Sequence, residues 1–274
     1  MIFKDRGIEI KTREQILSMR AAGLVVGRTL ELLRGEVKPG ITTGELDAIA
    51  EDHIRSSGAT PSFKGYHGFT GSICASVNDE IVHGIPGDRV LAEGDLISID
   101  CGAIVDGWHG DAAITVPVGA VAPELLELAR ICEESMWRGF AAARLGGRLT
   151  DISAAIEKHV RANSSYGIVE DFVGHGIGSA MHQPPNVPNF GRPGRGPKLV
   201  EGMALAVEPM LTLGKQDNHT LEDDWTVVTN DGEAAAHTEH TFTLTPQGPW
   251  VLTALDGGEA KLAELGIKYG ALAD

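Results

Sequence analysis

The stretch DLISIDCGAIVDGWHGDAAITVPV, residues 95–118, holds two β-prone runs on either side of Asp106-Gly107. Asp-Gly between such runs signals a two-residue hairpin turn, because the turn that matches strand twist needs positive φ at both central residues. Strands are read over residues 95–105 and 111–118. With this turn residue i pairs with residue 213−i, so Asp111 falls opposite Gly102. Asp100 lies two residues from Gly102 and therefore on the same face, since side chains alternate along a strand. The two aspartates become diagonal neighbours, about 7–8 Å apart. Both stand among apolar residues, Leu96-Ile-Ser-Ile99 before one and Ala112-Ala-Ile114 after the other. A carboxylate in such surroundings has to be paired, protonated or bound to a metal.

Outward from the hairpin the chain reads as helices and short strands. Residues 12–35 carry a helical stripe of Ile16, Met19, Leu24, Val25, Leu30 and Leu33, which Pro39-Gly40 ends. Thr42 with Glu45 is a capping-box signature for a second helix through Arg55. Strand-like runs follow at 72–77 and 80–82. After the hairpin the order restarts: a helix over 123–143, a break at Gly146-Gly147, and a helix capped by Thr150 or Asp151 that runs through Arg161.

An offset of 106 residues sets 43–55 on 149–161 and aligns Glu51 with Glu157, His53 with His159 and Arg55 with Arg161. Leu46 and Ile54 fall on Ile152 and Val160 in the same register, and a His-Gly step follows in each half, at 65–68 and 174–176. The repetition predicts an α/β fold of two pseudo-symmetric halves, about 12–118 and 123–250, in one domain spanning 1–274. A site is expected between the halves.

Composition narrows the function. Formal net charge is −15, with 38 acidic against 23 basic residues, and no basic stripe is present. Nucleic-acid binding is therefore not expected. Cys74, Cys101 and Cys132 are odd in number and widely spaced, which fits neither a secreted disulfide framework nor a thiolate zinc cluster. No apolar run approaches the roughly 20 residues that span a bilayer. Met1-Ile-Phe-Lys-Asp-Arg6 has no apolar run behind its charges, so no signal peptide is read there. These features predict a soluble, cytoplasmic protein without membrane attachment.

Three later residues join the aspartates. His175 sits in Gly174-His-Gly-Ile-Gly178, where glycines let the backbone turn tightly beside a ligand. Glu208 ends the apolar run Met203–Val207 just before Pro209, and Glu239 lies in the β-prone run 237–242. Four carboxylates and one imidazole suit two divalent cations; without metal they would repel one another strongly. Oxygen-rich ligation points to manganese, iron or cobalt.

The ordered set His83, Asp100, Asp111, His175, His182, Glu208 and Glu239 resembles the methionine aminopeptidases of the pita-bread fold. Local wording is similar too, in Val82-His-Gly-Ile-Pro86, Asp106-Gly-Trp-His-Gly-Asp111, Gly174-His-Gly-Ile-Gly178, Glu208-Pro-Met210 and Glu239-His-Thr241. The resemblance runs over about residues 10–250. It implies a central antiparallel sheet, with Asp100 on one metal, Asp111 and Glu239 bridging both, and His175 and Glu208 completing the other.

It also implies that a metal-bridging water attacks the first peptide carbonyl, with Glu208 as general base and His83 and His182 bonded to the scissile peptide. Phe63, Tyr66, Phe69, Cys74, Met181 and Trp225 would line an apolar pocket for the methionine side chain. Relatives often carry Cys at the Phe63 position and an aromatic residue at the Met181 position.

The proline-rich, loop-like segment 183–203 leaves no place for the long insertion of the type II enzymes, and about ten residues precede the first helix. Both traits resemble the bacterial type I form. The substrates implied are N-terminal Met peptides and nascent chains, taken by a monomer that could meet them at the ribosome. Cleavage before a small second residue implies that Met1, followed by the bulky Ile2, is retained. Two alternatives stand beside this reading: a prolidase or aminopeptidase P on the same fold, which usually carries a further N-terminal domain, and a non-enzymatic member of the fold lacking ligands.

Overall fold

The computed structural model describes residues 7–272. The readings placed on Met1–Arg6, no signal peptide and a retained Met1, lie outside the described residues.

Among the described residues, nine strands form the main sheet: β1 (Thr60–Pro61), β2 (Ile73–Val77), β3 (Leu96–Val105), β4 (Trp108–Pro117), β5 (Gly174–Gly176), β6 (Gln183–Val187), β7 (Ala204–Val207), β8 (Glu239–Thr245) and β9 (Gly248–Val251). Their order is β1-β3-β4-β8-β7-β5-β6, with β2 also on β3 and β9 also on β8. Neighbouring strands are antiparallel.

The β3–β4 hairpin has the register derived from its turn, Gly102 opposite Asp111, with φ of 50° at Asp106 and 80° at Gly107. Its second strand begins at Trp108 rather than at residue 111, because a two-residue turn lets pairing start at once between Val105 and Trp108.

Helices α1 (Arg13–Glu36), α2 (Thr43–Ser56), α3 (Pro123–Ala142) and α4 (Leu149–Asn163) cover the sheet, and a short α5 (Glu259–Glu264) follows β9. The capping box of α2 forms as read: the Thr42 N–H donates to Glu45 Oε2 at 2.8 Å and the Glu45 N–H to Thr42 Oγ1 at 3.1 Å. The start of α4 differs from expectation. Its N-cap is Arg148, whose N–H donates to Asp151 Oδ2, so Thr150 and Asp151 lie inside the first turn. An aspartate at the third helical position binds the cap from within, and its sequence signature looks like a cap displaced by three residues.

Two cores lie beneath these helices. Val26, Leu30, Leu33, Leu46 and Ile54 pack on Ile73, Ile97, Ile99 and Ala103. Met136, Phe140, Ile152 and Ile156 pack on Leu205, Val207, Phe242 and Val251. Helix α1 approaches the sheet through a glycine pair: a Cβ on Gly110 would stand 2.7 Å from Gly23 N and 2.9 Å from Gly23 Cα. Backbone on both sides cannot rotate away. Gly110→Ala is expected to cost about 1–3 kcal/mol through overpacking, measured as a lower urea midpoint with unchanged slope.

Two further expectations change. Residues 183–187 form the edge strand β6 rather than a loop. Proline survives there because an edge strand leaves one row of N–H positions unpaired. The glycines around His175 serve close strand packing rather than a tight turn: a Cβ on Gly174 would meet Ala206 O at 2.4 Å, and one on Gly176 would meet Pro184 O at 2.2 Å. The His-Gly step at 65–68 is instead a 3-10 turn, so the two steps have different backbones.

Candidate metal centre

Five consecutive strands of the sheet each place one candidate residue at the same site. Asp100 lies in β3, Asp111 in β4, Glu239 heads β8, Glu208 follows the end of β7, and His175 lies in β5. Cross-strand register fixes these neighbours: Glu239 pairs with Ala113 and His175 with Ala206. The backbone at Asp111 is clamped by Thr241, whose Oγ1 accepts from the Asp111 N–H and donates to the Asp111 carbonyl.

His175 Nε2 lies 3.4 Å from Glu208 Oε1, 4.0 Å from Asp111 Oδ2 and 4.0 Å from Glu239 Oε1. Its Nδ1 is 3.0 Å from the Gly176 carbonyl and must donate to it, which leaves the Nε2 lone pair facing the carboxylates. Burial holds the His175 pKa down at about 3, so the ring is neutral at pH 7.

Asp111 and Glu239 are buried, at 3% and 1% exposure. Burial pushes Asp100 up to about 7 and Glu208 up to about 8. Asp111 and Glu239 are held well above the ordinary carboxylate range by burial and then by the neighbouring carboxylates. Among the described residues, no lysine or arginine forms an ion pair with any of the four.

Asp100 Oδ1, Asp111 Oδ1 and Glu239 Oε1 are buried without a hydrogen-bond partner. Orphaned anionic oxygens at this depth are rare because each forfeits its hydration. The donor set therefore fits divalent metal, with donor atoms of Asp111, His175 and Glu239 all within 4.8 Å of one another.

The site opens into a cavity of about 440 Å³ lined by His83, His182 and all six expected pocket residues. Phe63, Phe69, Cys74 and Met181 form its apolar wall, with Tyr66 and Trp225 packed against them. His182 Nδ1 is 2.9 Å from the Tyr66 hydroxyl, and the His182 ring stacks edge-on to His175 at 4.3 Å between centroids. His83 packs edge-on against Phe172 and Trp225, and burial lowers its pKa to about 4.

His237 is a site residue that the sequence reading did not single out. It is 2% exposed, with Nε2 3.7 Å from Glu208 Oε2 and 3.9 Å from Glu239 Oε2. A signal was available: His237 stands two residues before Glu239, a spacing that points both side chains to one face of an extended chain. Phe172 and Met210 also line the cavity without having been anticipated.

A curled antiparallel sheet that gathers four carboxylates, two of them buried, and a buried imidazole beside an apolar pocket defines a metallopeptidase. The model of metallopeptidase family M24 matches residues 18–246, and the chain belongs to that family. Within it the similarity is to methionine aminopeptidases. The one from Clostridium perfringens is 52% identical over 90% of this chain and 99% of its own length, and one from Mycobacterium tuberculosis is 52% identical over 90% and 96%. The crystal structure of methionine aminopeptidase from Rickettsia prowazekii superposes with a TM-score of 0.88 at 39% identity, covering 90% of this chain and 99% of that one. Prolidase from Pyrococcus furiosus, at 22% identity and a TM-score of 0.72, shares the fold.

Proposed function

We infer that the protein is a methionyl aminopeptidase that removes the N-terminal methionine from new polypeptides when the second residue is small. The observation that supports this most strongly is the buried carboxylate cluster beside an apolar pocket, in a chain about half identical to methionine aminopeptidases over nearly their whole length. Asp100, Asp111, His175, Glu208 and Glu239 would hold two divalent ions (manganese, iron or cobalt), which would polarise the peptide carbonyl and lower the pKa of water at the site.

The chain's own groups do the rest. The apolar wall of Phe63, Phe69, Cys74 and Met181 accepts the thioether side chain and excludes water from it. Glu208, in the deprotonated form that metal binding requires, would take a proton from the attacking water and hand it to the leaving amine. His83 and His182, kept neutral by burial, hydrogen-bond the scissile peptide and steady the charge that develops on its oxygen. When the Tyr66 hydroxyl donates to His182 Nδ1, the proton sits on Nε2, where it can be offered to substrate. A protein of this function works on nascent chains in the cytoplasm.

A direct assay offers Met-Ala-Ser and an Xaa-Pro peptide side by side, with manganese or cobalt added. Methionine release from Met-Ala-Ser is expected; preferential cleavage of the proline peptide would replace this reading with that of a prolidase.

A further inference from the structure

We propose that His237 is a second imidazole ligand of the metal centre, binding through Nε2 on the side of Glu208 and Glu239 opposite His175. The proposal rests on the metallopeptidase reading and adds a donor to it. It is carried by the way two carboxylates divide their oxygens. Glu208 turns Oε1 toward His175 at 3.4 Å and Oε2 toward His237 at 3.7 Å. Glu239 does the same, with Oε1 at 4.0 Å from His175 and Oε2 at 3.9 Å from His237.

The distances to His237 are too long for hydrogen bonds. Donor atoms bound to one ion at about 2.1 Å lie roughly 3 to 4 Å apart, which is the spacing seen. The Nε2 atom is buried and has no hydrogen-bond partner. Glu208, His237 and Glu239 together bring three donor atoms within 4.8 Å of one another, a second ligand group beside that of Asp111, His175 and Glu239.

The backbone of His237 is also held in place. Its N–H is 3.1 Å from both Ser98 Oγ and Thr115 Oγ1, and the Thr115 hydroxyl donates to its carbonyl at 2.8 Å. Ser98 and Thr115 belong to β3 and β4, the strands that carry Asp100 and Asp111, so the hairpin that positions two carboxylates also positions this ring.

The experiment counts imidazoles. Cobalt(II)-loaded protein is examined by proton NMR for strongly shifted, solvent-exchangeable imidazole N–H signals. Two are expected in the wild type, one in His237→Gln and one in His175→Gln, and cobalt affinity measured by titration calorimetry should fall about 10-fold or more in His237→Gln. A single signal in the wild type that persists in His237→Gln, with unchanged affinity, would overturn the proposal and leave the metallopeptidase reading intact. Absence of cobalt binding by the wild type would sink both. The wild-type count needs no variant, so it decides even if a substitution prevents folding.

Discussion

Asp111→Ala is expected to reduce kcat/KM for Met-Ala-Ser by at least about 1000-fold, the equivalent of roughly 4 kcal/mol of transition-state stabilisation, as removing part of a metal site should. The resemblance to the methionine aminopeptidases implies that Asp111 would be a ligand common to both ions, so its loss would disturb each of them. The fold should survive. Thr241 bonds the Asp111 backbone on both its N–H and carbonyl sides, and those bonds do not involve the carboxylate. The carboxyl sits at 3% exposure among Asp100, Glu208 and Glu239. Removing it takes away a buried carboxyl whose Oδ1 has no hydrogen-bond partner, so the metal-free variant should melt no lower than metal-free wild type. The combination separates a catalytic from a structural role: equal turnover by variant and wild type sinks the assignment, and a large drop in Tm of the metal-free variant makes Asp111 a structural residue instead.

Metal-free protein should lose stability as pH rises from about 7 to 8, and added manganese or cobalt should cancel that loss. The sign follows from proton counts. Burial raises Asp100 to about 7 and Glu208 to about 8 in the folded state, against ordinary values of 3.8 and 4.5. Histidines whose pKa burial lowers, such as His83 and His175, pull the other way at lower pH, since only the unfolded chain protonates them. Above about pH 7 they are neutral in both states, and the native carboxylates hold more protons than the unfolded chain. Stability then decreases with pH, by about 1.4 kcal/mol per pH unit for each retained proton at its limit. A drop of that size lowers Tm by a few degrees in a protein this large. Metal needs the deprotonated carboxylates, so its affinity grows over the same window and the gap between loaded and metal-free Tm widens with pH. Calorimetry adds a check: metal binding near pH 6.5 should release protons to the buffer. A metal-free Tm that keeps climbing from pH 7 to 8 would contradict the raised carboxylate values.

Much of the site was legible because its parts are local patterns. The Asp-Gly turn set the register that puts Asp100 and Asp111 on one face, and β3 and β4 show that register residue for residue. Glu208 could be placed at a strand end from the proline that follows it, and it lies just past β7, whereas Glu239, read inside the run 237–242, instead heads β8. His237 escaped because its meaning lies in distances to Glu208 and to the Ser98 and Thr115 hydroxyls, each held by a different strand. The glycines at 174 and 176 and the prolines of β6 were misread for a related reason. A glycine that admits a neighbouring backbone and one that makes a turn look alike in sequence, as do a proline in a loop and one on a sheet edge.

By itself the sequence determined the hairpin, the helix stripes and caps, the acidic character, and the ordered ligand motifs that resemble the methionine aminopeptidases. Those are properties of residues a few positions apart, where turn geometry and strand or helix period act directly. Only the tertiary structure decided that β3, β4, β8, β7 and β5 lie side by side, so that five residues spread from 100 to 239 meet in one buried cluster with a second imidazole behind it. That convergence comes from long-range strand pairing and the burial it produces. Burial is also what makes the carboxylates hold their protons and favours the metal that displaces them.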